Sequence, residues 1–319
     1  MSENPVPDLD IVGVGLSTLD VLLRLKDMPT WEHPGRASAF ALEGGGPVGT
    51  ACVAAARLGA RVGYVGTAGS DLLAELKLRS FREDGVDLSR LVRRDGPEGH
   101  VIIVYVHEET GERVFSGVGT WGKMGRLSPA ELDRDYITSA RYLHLDGIDC
   151  GAAQQAAKWM HEAGKQVCLD ASRTDGRPLA PEMVDLVREV DVLICGSGFG
   201  RSLTGYTDVW QAGEAMLTFG PGIVVQTEGE QGSFTVTASE RFHTPAFQVD
   251  VVDTTGAGDV FHGAYLVGLL RGWDLRTVAR FASAVAAINC TRLGGRPGIP
   301  RFPEVAAFLR ERGFELPAA

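Results

Sequence analysis

The segment Asp253-Thr254-Thr255-Gly256-Ala257-Gly258-Asp259 concentrates the residue types most able to do chemistry. It follows an extended run over 247–252 and opens the apolar stretch 260–270. A strand, a glycine turn and a helix N-terminus in that order make an anion site. First-turn N–H groups point outward there, and the helix dipole favours negative charge. Gly256 and Gly258 remove the Cβ atoms that would hold a phosphoryl group away. Asp259 falls in the first helical turn, where a carboxylate keeps its charge easily and faces the same anion hole. An Asp-capped helix after a glycine turn is the plain alternative, and it does not require seven such residues in a row.

Three further segments carry weaker signals. Gly44-Gly45-Gly46-Pro47 precedes the small-residue run 48–59. These glycines either admit a ligand to the backbone or let a helix pack closely on a sheet. Gly13-Val14-Gly15 begins a dinucleotide fingerprint, but Thr18 stands at the third glycine position and the fingerprint fails. Asp20, shortly after, is either a loop carboxylate that accepts hydroxyl hydrogen bonds from a polyol or a solvated one. The segment from Thr227 to Gly232, with Gly229 inside it, leaves an apolar strand. It suits a nucleotide phosphate or ribose, and equally a simple hairpin. No GxxxxGK[ST] run occurs, so a P-loop is excluded. The seven histidines show no HxxxH or HExxH spacing. His262 is expected to pack or cap, and Cys290 to be buried and inert.

These segments need a scaffold of repeated strand–helix units. Apolar, β-branched runs at 9–15, 62–65, 142–145, 166–169, 191–195 and 222–226 read as parallel strands covered on both faces. Helices are expected over 47–58, 152–163, 181–190, 209–217, 257–271, 275–290 and 303–312. Two stretches fit no such unit. One is 20–42. The other is 100–118, which reads as a hairpin around Glu108-Glu109-Thr110-Gly111. Together they are expected to form a small β-sheet lid on one domain spanning 1–319, with Val101, Ile103, Tyr105, Val114 and Phe115 as its apolar surface. Residues 233–247 read as another hairpin. The fold class is α/β, with a mostly parallel central sheet.

The chain has 319 residues, and 41 acidic against 31 basic side chains give a net charge of −10. That balance gives no electrostatic support to nucleic-acid or anionic-membrane binding. No apolar run approaches the length of a membrane span. The polar, acidic start carries no secretory signal, so the cytoplasm is the expected compartment. Five scattered cysteines without a CxxC pair argue against a disulfide framework and a zinc knuckle.

DTTGAGD with the following VFHGA resembles the second signature of the PfkB, or ribokinase-like, carbohydrate kinase family. GGGPVGTACVAAARLG resembles the first signature, and the T-x-G-x-x-G at Thr227 resembles the family's nucleotide loop. FASAVAAINCTRLGGRPGIP is similar to its adenine-side helix and loop. The order agrees from about Leu9 to Pro300, and the subgroup that looks closest phosphorylates ketohexoses and a sulfonated fructose. The resemblance implies a three-layer α/β/α sandwich with a β lid, often paired as a homodimer through that lid. It implies ATP-dependent phosphorylation of a primary hydroxyl, with Mg2+ and a K+ ion. By position it makes Asp259 the catalytic base and Gly256, Ala257 and Gly258 the anion hole. Asp20, Gly45 and Gly46 fall on sugar positions, and Thr227, Gly229 and Gly232 on the ATP side. Asp253, Thr255, Asn289, Gly294 and Gly298 fall on the K+ site. Arg36, in the first lid segment, is a candidate reader of an anionic sugar group.

Three departures stand out. Thr50 replaces the family's usual Asn at a sugar contact. Gly-Ser-Gly-Phe at 196–199 replaces its NxxE, which leaves Mg2+ to ATP and water. Ser70-Asp71-Leu72 shortens an acidic turn. A sugar kinase is therefore expected. A nucleoside kinase of the same fold is the runner-up, kept open by Trp31, Phe40 and Phe115 as stacking surfaces. A nicotinamide-binding oxidoreductase and a non-catalytic sugar sensor stand further off.

Overall fold

The computed structural model describes residues 7–118, 126–172 and 174–317. Residues 1–6, on which the expectation of a signal-free start rests, lie outside them. Eight strands form the central sheet: β1 (Ile11–Val14), β4 (Val62–Val65), β9 (Tyr142–Leu145), β10 (Gln166–Ala171), β11 (Val192–Gly196), β12 (Ile223–Thr227), β13 (Ser233–Thr237) and β14 (Arg241–Thr244). Their spatial order is β14-β13-β12-β11-β10-β9-β1-β4. The first six named run parallel, and the hairpin β13–β14 closes one edge antiparallel.

Strand side chains alternate between two apolar layers, which is why these strands read as unbroken hydrophobic runs. Ile11, Tyr64, Cys168 and Ile194 enter one layer. It is covered by α1 (Pro47–Arg57), α2 (Leu72–Glu83), α8 (Ala257–Leu270), α9 (Leu275–Asn289) and α10 (Phe302–Arg310). Val12, Leu143, Leu169 and Leu193 enter the other. That side is covered by α3 (Arg134–Ser139), α4 (Cys150–Glu162), α5 (Pro181–Val187), α6 (Phe199–Thr204) and α7 (Val209–Leu217). The result is the three-layer α/β/α sandwich.

A second sheet has the order β3-β2-β7-β8, from β2 (Thr18–Leu25), β3 (Ala37–Gly45), β7 (Val101–His107) and β8 (Arg113–Gly117). One face buries Leu22, Val104 and Val106. The register puts Asp20, Arg113 and Phe115 on that same inner face, since Arg113 pairs with Val106 and Phe115 with Val104. Phe115 therefore leaves the outer set expected from the sequence. Val101 leaves the exposed set too, being 8% exposed at the start of its strand. The outer face keeps Phe40 at 60% and Val114 at 55% exposure. A two-stranded ribbon, β5 (Thr67–Ala68) with β6 (Val92–Arg93), completes the strands.

Helix α2 has no counterpart among the elements expected from the sequence. Asp71 caps it by accepting from the Ala74 N–H. Its buried stripe of Ala74, Lys77, Leu78 and Phe81 has helical spacing, but a lysine interrupts the apolar pattern. Lys77 is buried because Glu98, equally buried, lies 2.7 Å away and the Thr67 carbonyl accepts a second hydrogen bond. Short helices α3 and α6 were likewise beyond the reach of periodicity.

Candidate active site

The acidic loop 253–259 is built around one buried carboxylate. Asp253 Oδ1 accepts from the Thr255 N–H at 2.8 Å and its hydroxyl at 2.7 Å. Oδ2 accepts from the Gly294 N–H at 2.8 Å. These bonds tie the loop to the turn after α9. Gly256 then adopts a φ of 72°, in the left-handed region that favours glycine. A Cβ there would stand 2.8 Å from the Gly295 Cα. The chain enters α8 with Asp259 in its first turn. The Ala257 N–H turns back to the Thr254 carbonyl at 3.3 Å. Gly258 faces open space, where an added Cβ would meet nothing within 4 Å.

Asp259 is pushed up to about 6, chiefly by loss of hydration and against the pull of Arg113 and Arg296. Three more carboxylates surround this end of the sheet. Asp20, at about 6, is raised by burial while the Thr18 hydroxyl donates to it at 2.6 Å. Asp146, also at about 6, is raised by burial against hydrogen bonds from the Leu16 and Ile148 N–H groups. Burial and then Asp259 hold Asp170 well above the ordinary range. Asp20 lies inside β2 and not on a loop. Asp146 was not singled out in the sequence. Gly15 is the trace it left there, since a Cβ on that residue would press on the Asp146 carboxylate at 2.7 Å. A carboxylate so close to the would-be dinucleotide turn repels a pyrophosphate, a second reason the nicotinamide reading fails.

Two arginines missed by the sequence reading balance this acidity. Arg113, from the inner face of β8, hydrogen-bonds the Thr254 hydroxyl and so joins the second sheet to the acidic loop. Arg296 is 1% exposed. Its Nη2 donates to the Gly45 carbonyl at 2.6 Å, its Nη1 to the Ser80 hydroxyl at 2.8 Å, and its Nε to the Thr50 hydroxyl at 3.4 Å. The guanidinium also stacks 4.5 Å over the Phe81 ring. Burial lowers it to about 10, and Asp20 is the first charge opposing that fall. The glycine triplet now has a physical account. A Cβ on Gly44 would collide with this guanidinium, and one on Gly45 with the Asp20 carboxylate. The signal of Arg296 in the sequence was no more than one of two arginines, with Arg292, in a glycine-rich tail.

The remaining residues fall in three places. Thr50 lies buried on α1 against Arg296. Thr227, Gly229 and Gly232 follow one another at the end of β12, with the Thr227 hydroxyl donating to the Cys195 carbonyl at 3.2 Å. Arg36 is exposed in the connection between β2 and β3. The turn at 196–199 has Gly196 and Phe199 where NxxE would place its Asn and Glu. Between them Gly198 is left-handed, and a Cβ on it would strike the Thr174 carbonyl. Asp253, Thr255, Asn289, Gly294 and Gly298 form one contiguous network, since Asn289 Nδ2 reaches the Thr255 carbonyl at 3.4 Å and Gly298 packs on the Asn289 backbone.

With this geometry in view, likeness to known proteins agrees over nearly the whole chain. Residues 9–301 match the family described as pfkB family carbohydrate kinase. A 2-dehydro-3-deoxygluconokinase of Bacillus subtilis is 29% identical over 269 residues, 80% of this chain and 82% of that one. A nucleoside kinase of Methanothermobacter thermautotrophicus is 26% identical over 315 residues, 97% of this chain and 99% of that one. The fold matches an Arabidopsis thaliana ribokinase complexed with ribose and ATP at a TM-score of 0.79. That match has 24% identity and covers 95% of this chain and 99% of that one. The chain belongs to the pfkB family and is an ATP-dependent carbohydrate kinase.

Proposed function

We propose that this pfkB family kinase transfers the γ-phosphoryl group of ATP to a primary hydroxyl of a ketohexose-type sugar. The transfer takes place in the cleft between the α8 N-terminus and the second sheet. The observation that carries this reading is Asp259, raised to about 6 beside the open space at Gly258. A carboxylate of that basicity is ionised at neutral pH and accepts the proton of the attacking hydroxyl. Phosphoryl transfer is loose and needs little early deprotonation, so positioning and charge stabilisation do most of the work. The N–H groups of Gly256 and Gly258 face the oxygens of the transferring group, the Ala257 N–H joins them by giving up its long bond to the Thr254 carbonyl, and Arg113 adds a cation from the lid. Asp20, buried beside Gly45 and Gly46, accepts hydroxyl hydrogen bonds from the sugar. Arg36 reads an anionic far end where the sugar has one. Thr227, Gly229 and Gly232 border the nucleotide.

Mg2+ accompanies ATP in such reactions and neutralises its phosphates. Phosphate oxygens and water hold most of its shell, and Asp170, whose buried Oδ2 has no hydrogen-bond partner among the described residues, is the carboxylate this fold offers it. A K+ ion fits the network of Asp253, Thr255, Asn289, Gly294 and Gly298. Asn289 Oδ1 there is a buried acceptor without a donor among the described residues. Equal turnover in potassium and in a bulky organic cation buffer would remove that assignment. The outer face of the second sheet, with Phe40 and Val114, is the expected homodimer contact.

A nucleoside acceptor is the second reading. Phe115 favours it, because it lies on the inner face, 54% exposed, with Arg113 5.8 Å over its ring. The deciding experiment is ATP turnover against ketohexoses, aldoses, keto-sugar acids and nucleosides, with Asp259→Asn beside the wild type. The variant keeps the shape and deletes the base. Its single-turnover rate should fall about 10²–10⁴-fold while ATP binding holds. Preference for nucleosides by kcat/KM would replace the sugar reading, and an undiminished Asp259→Asn would end the base assignment.

A further inference from the structure

One buried cluster has no part in phosphoryl transfer. His144 on β9, Cys168 on β10 and His262 on α8 bring a ligand atom each within 4.8 Å of one another. None is more than 2% exposed. The register of the sheet creates the cluster. β9 and β10 run parallel with His144 directly opposite Cys168, so both side chains leave the same face. Helix α8 crosses that face, and His262 follows Asp259 by about one turn, roughly 5 Å deeper.

The polar atoms in this cluster are unspent. Both ring nitrogens of His144 and Nδ1 of His262 have no hydrogen-bond partner among the described residues. Such atoms are seldom left alone in a protein interior, and an ion is one of the standing reasons when they are. Burial holds His144 down at about 3 and His262 well below its ordinary value, so both rings are neutral, the form that ligates metals. The second nitrogen of His262, Nε2, stands 3.4 Å from Asp170 Oδ1. A metal-bound histidine commonly hands its other N–H to a carboxylate in this way.

The geometry points to a buried site for a thiophilic divalent cation of the zinc class, held by His144, by Cys168 Sγ and by His262 Nδ1, with Asp170 orienting His262. Two imidazoles and one thiolate are a donor set that zinc accepts at short range and that magnesium and calcium do not. Binding forms the sulfur–metal bond and breaks the Cys168 S–H bond, and the proton leaves to the buffer. Burial raises this thiol, so its proton departs only as the metal takes its place. The ion would pin the sheet to α8 one turn beneath Asp259, and so fix the helix whose first turn forms the anion hole.

The test uses the full chain. Protein expressed with added zinc and then gel-filtered should retain one zinc per chain. Cobalt-substituted protein should show a thiolate-to-metal charge-transfer band in the near ultraviolet. Cys168→Ser should lose the band, and Asp170→Asn should weaken zinc binding about 10–100-fold. Uptake should release a proton. The wild type alone can overturn the site, so a variant that fails to fold does not shelter it. Folded wild-type chain that holds neither zinc nor cobalt at micromolar concentrations shows a cluster filled by water only. A band that survives Cys168→Ser, or zinc binding unchanged by His144→Gln, also overturns the proposal.

Discussion

The carboxylate-rich edge of the central sheet and the β8 side of the second sheet approach one another where Arg113 reaches Thr254, and they are built on opposite terms. At the first, Asp146, Asp170 and Asp259 are joined by Asp20, which the buried start of β2 brings in from the second sheet, and burial raises all four. The neutralising cation there, Arg296, is sealed among Gly45, Thr50, Ser80 and Phe81. The second sheet is thin and half open, β8 is exposed along its length, and among the described residues its cation in reach of the acidic loop is Arg113. One side stores electrostatic strain in a rigid frame, and the other supplies a removable charge. Frame residues should therefore move stability, and lid residues should move rate and pH dependence.

Arg296→Met tests the frame hardest. It orphans the bonds to Gly45 and Ser80 and leaves Asp20 without its buried counter-charge, so unfolding in urea should show a loss of about 3–5 kcal/mol. A loss under about 1 kcal/mol would mean the frame does not depend on this guanidinium. Arg113→Ala should do the reverse. Thermal stability should hardly change, kcat should fall about 10-fold or more, and the acid limb of kcat should move to higher pH. The sign follows from Arg113 lowering Asp259, because removing the cation lets that carboxyl rise further. A melting temperature lowered by many degrees with an unmoved pH profile would erase the distinction between the two regions.

Asp20→Asn sharpens the comparison from within the frame. Its carboxyl is held at about 6, above the ordinary 3.8, so the folded chain grips the proton more tightly than the unfolded chain does. Ionisation at pH 7 therefore costs stability, and the cost fades as pH falls through 6 toward 4. The variant should gain on the order of 2 kcal/mol at pH 7, lose that gain near pH 4, and bind sugar worse. Equal stability of the two proteins across that range would contradict the strain. The smallest effect belongs to the outer face of the second sheet. Phe40→Asp with Val114→Asp should shift sedimentation from dimer to monomer with folding stability within about 0.5 kcal/mol. A wild type that sediments as a monomer across micromolar concentrations would remove this contact altogether.

Legibility followed the range of the interaction. The parallel strands were readable because both faces are buried and the code is a plain apolar run. Helix α7 was readable to its ends, while α2 was hidden by Lys77, whose burial makes sense only once Glu98 arrives from beyond the helix. The loop 253–259 was readable because its glycines and carboxylates are consecutive, although the strand expected over 247–252 does not form: β14 ends at Thr244 and no strand lies between it and α8. Arg113 and Arg296 were not, because each acts on residues more than a hundred positions away.

By itself the sequence determined the alternation of strands and helices, the acidic glycine loop 253–259 and the two excursions that pair into a second sheet. All of these rest on local periodicity and on contiguous residues. Only the tertiary structure decided which glycine serves which side chain, which face Phe115 occupies, and that His144, Cys168 and His262 converge. The reason is geometric. Residue spacing encodes contacts within one element, whereas those three side chains come from two strands and a helix. Their meeting is fixed by the parallel register of β9 with β10 and by the way α8 packs across it.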